Sequence, residues 1–206
     1  MQLNTKIKQI EFREYKLVFN ASQFTGTDKD IDKILGVLES QLKNQELTFE
    51  KSSDDPKLKK VWYLDNHKHE LYQKNNFITR VKENQKEKGK VEYDVTFKIR
   101  TIEKEMLSSY DLFTLNPLFL SKKEEQKFEE DIVSDSTSRF SISTELEYEN
   151  DPALRTWNAV LTVFPNLVLD GIRDNQLVRV NGLEVEETAY KLGKILFEGV
   201  KKAEVG

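Results

Sequence analysis

Arg80, Lys82, Lys98 and Arg100 stand in pairs two residues apart, within the stretches ITRVK (78–82) and DVTFKIR (94–100). Carboxylates follow the same spacing further on. Glu129 and Asp131 accompany Lys127 in KFEED (127–131), and Glu145 and Glu147 lie in TELEYE (144–149), with Arg139 upstream on the same parity. Near the start, Glu14 and Lys16 form one more such pair. Residues two apart on a strand share a face, roughly 6–7 Å from one another. A row of lysine and arginine can hold a polyanion, the arginine forks being suited to phosphate oxygens. Carboxylates packed without a cation repel one another and lose charge by pKa shift; an all-oxygen set favours a hard divalent ion, Mg²⁺ or Mn²⁺. The two clusters make joint sense if a metal–phosphate complex lies between them.

The elements that must position these residues are mostly strands. Residues 7–19 (IKQIEFREYKLVF) read as a first strand, with Phe12, Glu14 and Lys16 on one parity and Tyr15, Leu17 and Phe19 on the other. TGTD (25–28) supplies a loop and a cap for a helix, on which Ile31, Ile34, Leu35, Leu38 and Leu42 recur at helical spacing. A short strand begins at LTFE (47–50), SSDDP (52–56) breaks it, and KKVWYLD (59–65) starts another. Residues 77–83 and 91–101 form a hairpin through NQKEKGK. In its second arm Val91, Tyr93, Val95, Phe97 and Ile99 alternate with Glu92, Asp94, Thr96, Lys98 and Arg100. Residues 102–124 read as a short helix and a loop, a candidate lid. Strands return at 125–134 and 138–149. Asp151 then caps a helix with Pro152 at its first position, running to about Phe164. Asn181-Gly182 is a tight-turn signal, and a last helix is expected over 188–202. The expected fold is α+β, one domain over residues 1–206: an antiparallel β-barrel, or tunnel, of about eight strands with amphipathic helices outside. An ordinary half-solvated sheet would also carry one charged face, but a surface selected for solubility mixes signs, and these rows hold same-sign neighbours.

Composition narrows the function classes. The 206 residues contain no cysteine, which excludes thiol nucleophiles, zinc–cysteine sites and disulfides. The net charge of −4 conceals an uneven distribution: residues 51–100 hold 13 Lys+Arg against 8 Asp+Glu, and residues 101–150 hold 5 against 12. That balance disfavours a nucleic-acid partner. No apolar run is long enough for a membrane helix and the N-terminus lacks a signal-peptide core, so the expected location is cytoplasmic, without a membrane partner. The oligomeric state stays open.

Taken in order, FREYK (12–16), WYLD (62–65), ITRVK, DVTFKIR, KFEED and TELEYE resemble the CYTH / triphosphate tunnel metalloenzyme superfamily, which includes thiamine triphosphatases, inorganic triphosphatases and class IV adenylate cyclases. The family's hallmark is E-x-E-x-K on the first strand; here Phe12 replaces the first glutamate. The resemblance implies that Glu14, Glu129, Asp131, Glu145 and Glu147 face Mg²⁺ or Mn²⁺. It implies that Lys16, Arg80, Lys82, Lys98, Arg100, Lys127 and Arg139 bind the substrate's phosphates. Glu14, Lys16, Glu145 and Glu147 would carry catalysis. The expected activity is divalent-metal-dependent hydrolysis of a triphosphate-bearing small molecule: tripolyphosphate, or a nucleoside or thiamine triphosphate. The alternatives are a non-catalytic phosphate- or nucleotide-binding module of the same fold, and cyclisation of ATP.

Other candidates read as structural. His67 and His69 sit near a turn without partners for a metal. Ser108, Ser109 and Ser141 lack a G-x-S-x-G context, and neither a P-loop nor a G-x-G-x-x-G occurs. Trp62 and Tyr63 read as packing residues, and Glu184 and Glu186 as surface residues.

Overall fold

Alternating apolar and charged residues require a sheet whose two faces meet different surroundings, and a computed structural model of the chain contains one. It describes residues 10, 12–15, 22, 24–25, 28–86, 89–112, 124–134, 137–197 and 199–205. In chain order the elements are β1 (Phe12–Tyr15), α1 (Asp28–Lys43), β2 (Thr48–Lys51), β3 (Lys57–Asp65), α2 (Glu70–Asn75), β4 (Phe77–Gln85) and β5 (Val91–Thr101). A 3₁₀ helix (Lys104–Ser109) follows, then β6 (Glu124–Ser134), β7 (Thr137–Tyr148), α3 (Trp157–Val163), β8 (Val178–Arg179), β9 (Val185–Ala189), β10 (Gly193–Phe197) and β11 (Val200–Val205). The chain divides into two compact units, one of Met1–Lys16 with Lys59–Glu187, the other of Leu17–Leu58 with Thr188–Gly206.

The larger unit is built on an eight-stranded sheet in the order β1-β6-β7-β5-β4-β3-β8, with β9 also pairing β3. The architecture is α+β, and the sheet curls into a half-barrel. It is mixed and open among the described residues, which corrects the expected closed antiparallel barrel: β1 runs parallel to β6, pairing Phe12 with Glu129 and Glu14 with Asp131. On one face Val95 meets Val81 and Leu146, while Ile99 meets Phe77 and Ile142. Helix α3 lies over this face. Trp157 packs edge-on to Phe77 with ring centroids 5.5 Å apart, and Phe164 packs edge-on to Phe97 at 4.9 Å. Phe97 and Val95 are fully buried. A one-residue slip of β5 would turn Val95, Phe97 and Ile99 to the charged side, at roughly 1.5–3 kcal/mol each, so the core fixes the register.

Two expected helices change. The segment after Asp151 is not yet helical: the Asp151 carboxylate accepts from the Ala153 N–H at 2.8 Å, and Ala153 has φ +51°. The helix starts at Trp157, where the Thr156 hydroxyl accepts from the Ala159 N–H at 3.2 Å. The predicted helix over 188–202 is strand instead, because β10 pairs with both β2 and β11 in the smaller unit's three-stranded sheet. A Cβ on Gly193 would overlap the carbonyl oxygen of Glu50, so glycine permits that approach. The Asn181-Gly182 turn forms with Gly182 at φ +77°, yet β8 and β9 on either side of it both pair β3. Helix α2 was not anticipated. Of the predicted first strand, the described part is β1 with Ile10; the region 113–123, the core of the candidate lid, lies outside the described residues.

Candidate functional site

Cross-strand register decides which charged residues meet, because paired residues share a face. Five rungs run across the sheet. Glu14, Asp131 and Arg139 form the first, and Phe12, Glu129, Ser141 and Arg100 the second. Lys127, Ser143, Lys98 and Ile78 form the third, followed by Glu145, Thr96, Arg80 and Tyr63, and then Glu147, Asp94 and Lys82. All of the expected site residues except Lys16 therefore stand on one side of one sheet, opposite the apolar core. Lys16 lies outside the described residues.

The centre of this face is an ionic network. Lys98 Nζ is 3.0 Å from Glu129 Oε2, both side chains being mostly covered. Arg100 reaches Asp131 Oδ2 at 3.0 Å, and the Asp131 side chain is only 3% exposed. The Arg80 guanidinium donates to Thr96 Oγ1 at 3.2 Å, and that hydroxyl donates to Glu145 Oε2 at 3.2 Å. Lys82 Nζ lies 4.0 Å from the same carboxylate. Burial lowers the Lys82 pKa from its ordinary value, and the positive charge of Arg80 adds to the effect. Asn84 donates to Asp94 at 2.7 Å. The Nε atoms of Arg80 and Arg100 and the hydroxyl of Ser141 are buried without a hydrogen-bond partner. Buried polar groups are ordinarily paired, so three orphans on one face mark a place suited to further oxygen atoms. The buried Thr79 hydroxyl is a fourth orphan, on the core side.

Around this centre, Arg139 and Glu14 are exposed, whereas Lys127 and Glu147 are half-buried. Sequence parity did not single out Thr96, Asp94 and Ser141 as participants, although each sits on the charged row. Their neutral or lone character hid them; only the pairing of β5 with β4 and β7 shows what they link. Asp65, last residue of WYLD, has a folding role: its carboxylate accepts from the N–H groups of Asn66 (2.7 Å), Leu71 (3.1 Å) and Tyr72 (3.1 Å). Ser108 and Ser109 bond backward to carbonyls of the 3₁₀ helix, and Glu184 and Glu186 pair with Arg179 and Lys60 at the exposed edge.

The donor set is all oxygen, chemically apt for Mg²⁺ or Mn²⁺. The arrangement is not a preformed cage, however. Among the described residues no three carboxylate or histidine side chains come together around one point, and Glu129 and Asp131 are engaged by Lys98 and Arg100. No helix among the described residues is long and apolar enough to cross a membrane. Comparison with family models, curated proteins and solved structures yields no match to the chain.

Proposed function

We propose that the charged face binds a triphosphate-bearing small molecule and that the protein is a divalent-metal-dependent phosphohydrolase of the triphosphate tunnel kind, the curled sheet forming a wall of the tunnel. The observation that carries this reading is the run Lys82, Arg80, Lys98, Arg100 across β4 and β5, with unpartnered guanidinium nitrogens at two of its members. Guanidinium and ammonium groups held in a half-buried sheet would neutralise phosphate oxygens once Lys98 and Arg100 exchange Glu129 and Asp131 for the ligand, and charge positioned in this way stabilises a phosphoryl-transfer transition state. The reaction is attack by water on the terminal phosphorus as the P–O bond to the rest of the chain breaks, releasing orthophosphate. Mg²⁺ or Mn²⁺ would neutralise the phosphate chain beside these cations.

The test is orthophosphate release from tripolyphosphate, ATP and thiamine triphosphate with Mg²⁺ or Mn²⁺, on wild type and on Lys98→Ala and Arg100→Ala. Release that requires the metal and falls at least tenfold in both variants is expected. A folded protein that neither releases phosphate nor binds any of the three ends the proposal.

A second reading, phosphate binding without turnover, is favoured by Phe12. It occupies the position in register with Glu129 where the family pattern places a glutamate. Calorimetric binding of tripolyphosphate with no orthophosphate release, and release gained in Phe12→Glu, would select this reading.

A further inference from the structure

A cleft of about 320 Å³ opens where β3, α2 and the turn after β8 meet. Its lining combines Tyr63, Asp65 and Ile78 of the charged rows with Phe77 and Thr79 of the core row, and His69, Tyr72 and Leu183 close it from α2 and the turn. Two lining residues stand in register with members of the cationic run: Tyr63 pairs with Arg80, and Ile78 pairs with Lys98. We infer that this cleft holds a flat aromatic or heteroaromatic group attached to the phosphate chain, so that the ligand is an organic triphosphate and not inorganic tripolyphosphate. The inference rests on the reading that the charged face holds the phosphates.

Five features fit that occupant. The volume falls at the lower end of small-molecule sites, which are mainly apolar and aromatic with few polar groups. Tyrosines provide stacking surface together with a hydroxyl that can bond a ring edge. Asp65, the one carboxylate in the lining, directs both oxygens to backbone N–H groups, so its charge is engaged within the fold. His69 keeps a left-handed backbone (φ +53°), a conformation costly outside glycine and concentrated at binding sites. Tyr72 and Leu183 are 57% and 48% exposed, apolar surface left at the cleft mouth.

The experiment measures affinity by calorimetry, with Mg²⁺, for tripolyphosphate, ATP, GTP, CTP and thiamine triphosphate. At least one organic triphosphate is expected to bind about tenfold more tightly than tripolyphosphate, the order of one stacking contact. In Tyr72→Ala and Leu183→Ser, exposed positions where folding tolerates change, that preference falls to about one. If tripolyphosphate binds as tightly as every organic member, or the preference survives both variants, the cleft has no such role while the charged face keeps its own. If no member of the panel binds, the reading of the charged face fails and the inference falls with it.

Discussion

Glu129 and Asp131 act here as internal anions that occupy the cationic heads an incoming phosphate would use. A phosphate must part Lys98 from Glu129 or Arg100 from Asp131, so each carboxylate competes with the ligand. Glu129→Gln is therefore expected to tighten metal-free tripolyphosphate binding about three- to tenfold, corresponding to the ~1 kcal/mol scale of a partly covered ion pair. Calorimetry reads it directly, and a loss of affinity would identify Glu129 as a ligand-side group. Lys82 gives a pH signature. Its pKa is lowered by burial, so its charge is lost earlier on the alkaline side than that of an ordinary lysine. Affinity for the anion should decline as pH rises through that lowered value, and Lys82→Arg should flatten the profile; identical profiles would remove Lys82 from the site. Glu70 supplies the opposite sign for stability. Its bond to Lys74 at 2.8 Å, aided by N–H groups of Arg173 and Asp174, holds its pKa at about 2. The stabilisation is complete above the unfolded value of about 4.3 and disappears as pH falls through about 2. Urea unfolding between pH 5 and 2 should show this slope in wild type and a weaker one in Glu70→Gln.

Period-two alternation made the β4–β5 hairpin, β6 and β7 legible, because an inward apolar row and an outward charged row leave one consistent strand assignment. The same alternation located eleven of the expected site residues on one side. Elements whose form depends on distant partners were not legible. Pro152 after Asp151 has the signature of a helix start, but the chain turns once more and Thr156 provides the cap. Residues 188–202 mix apolar and charged residues in a pattern a helix could share, and only the pairing of β10 with β2 and β11 decides for strand. Gly193 and Gly182 can be contrasted. Alanine at 193 would also meet the Phe49 ring at 2.6 Å, and the clash should cost about 2–4 kcal/mol, as overpacking and backbone displacement do. Alanine at 182 meets nothing within 4 Å and faces only the left-handed φ of +77°, about 1–2 kcal/mol. Denaturant midpoints of the two variants should fall in that order, and a reversal would show that the approach of β10 to β2 is loose.

For the whole molecule, the parallel pairing of β1 with β6 joins segments over 100 residues apart, as the contact between Arg13 and Glu130, 117 positions away, illustrates. No local pattern announces such a partner, which is why an all-antiparallel closure was expected. Charge operates at this scale too. With a net charge of −4 and its cations interleaved with carboxylates, the protein is expected not to retain duplex RNA at about 0.15 M salt, since counterion release needs an uncompensated basic surface. Filter binding checks this, and retention with a steep salt slope would contradict it. The division of labour between the two faces has an evolutionary meaning. Helix α3 and the apolar rows secure the fold from behind, so that residues at the exposed rim of the front, such as Glu14 and Arg139, can be exchanged at little cost to packing. A lineage starting from this scaffold could acquire a new substrate through a handful of frontal substitutions, and its descendants would diverge in chemistry long before they diverged in shape.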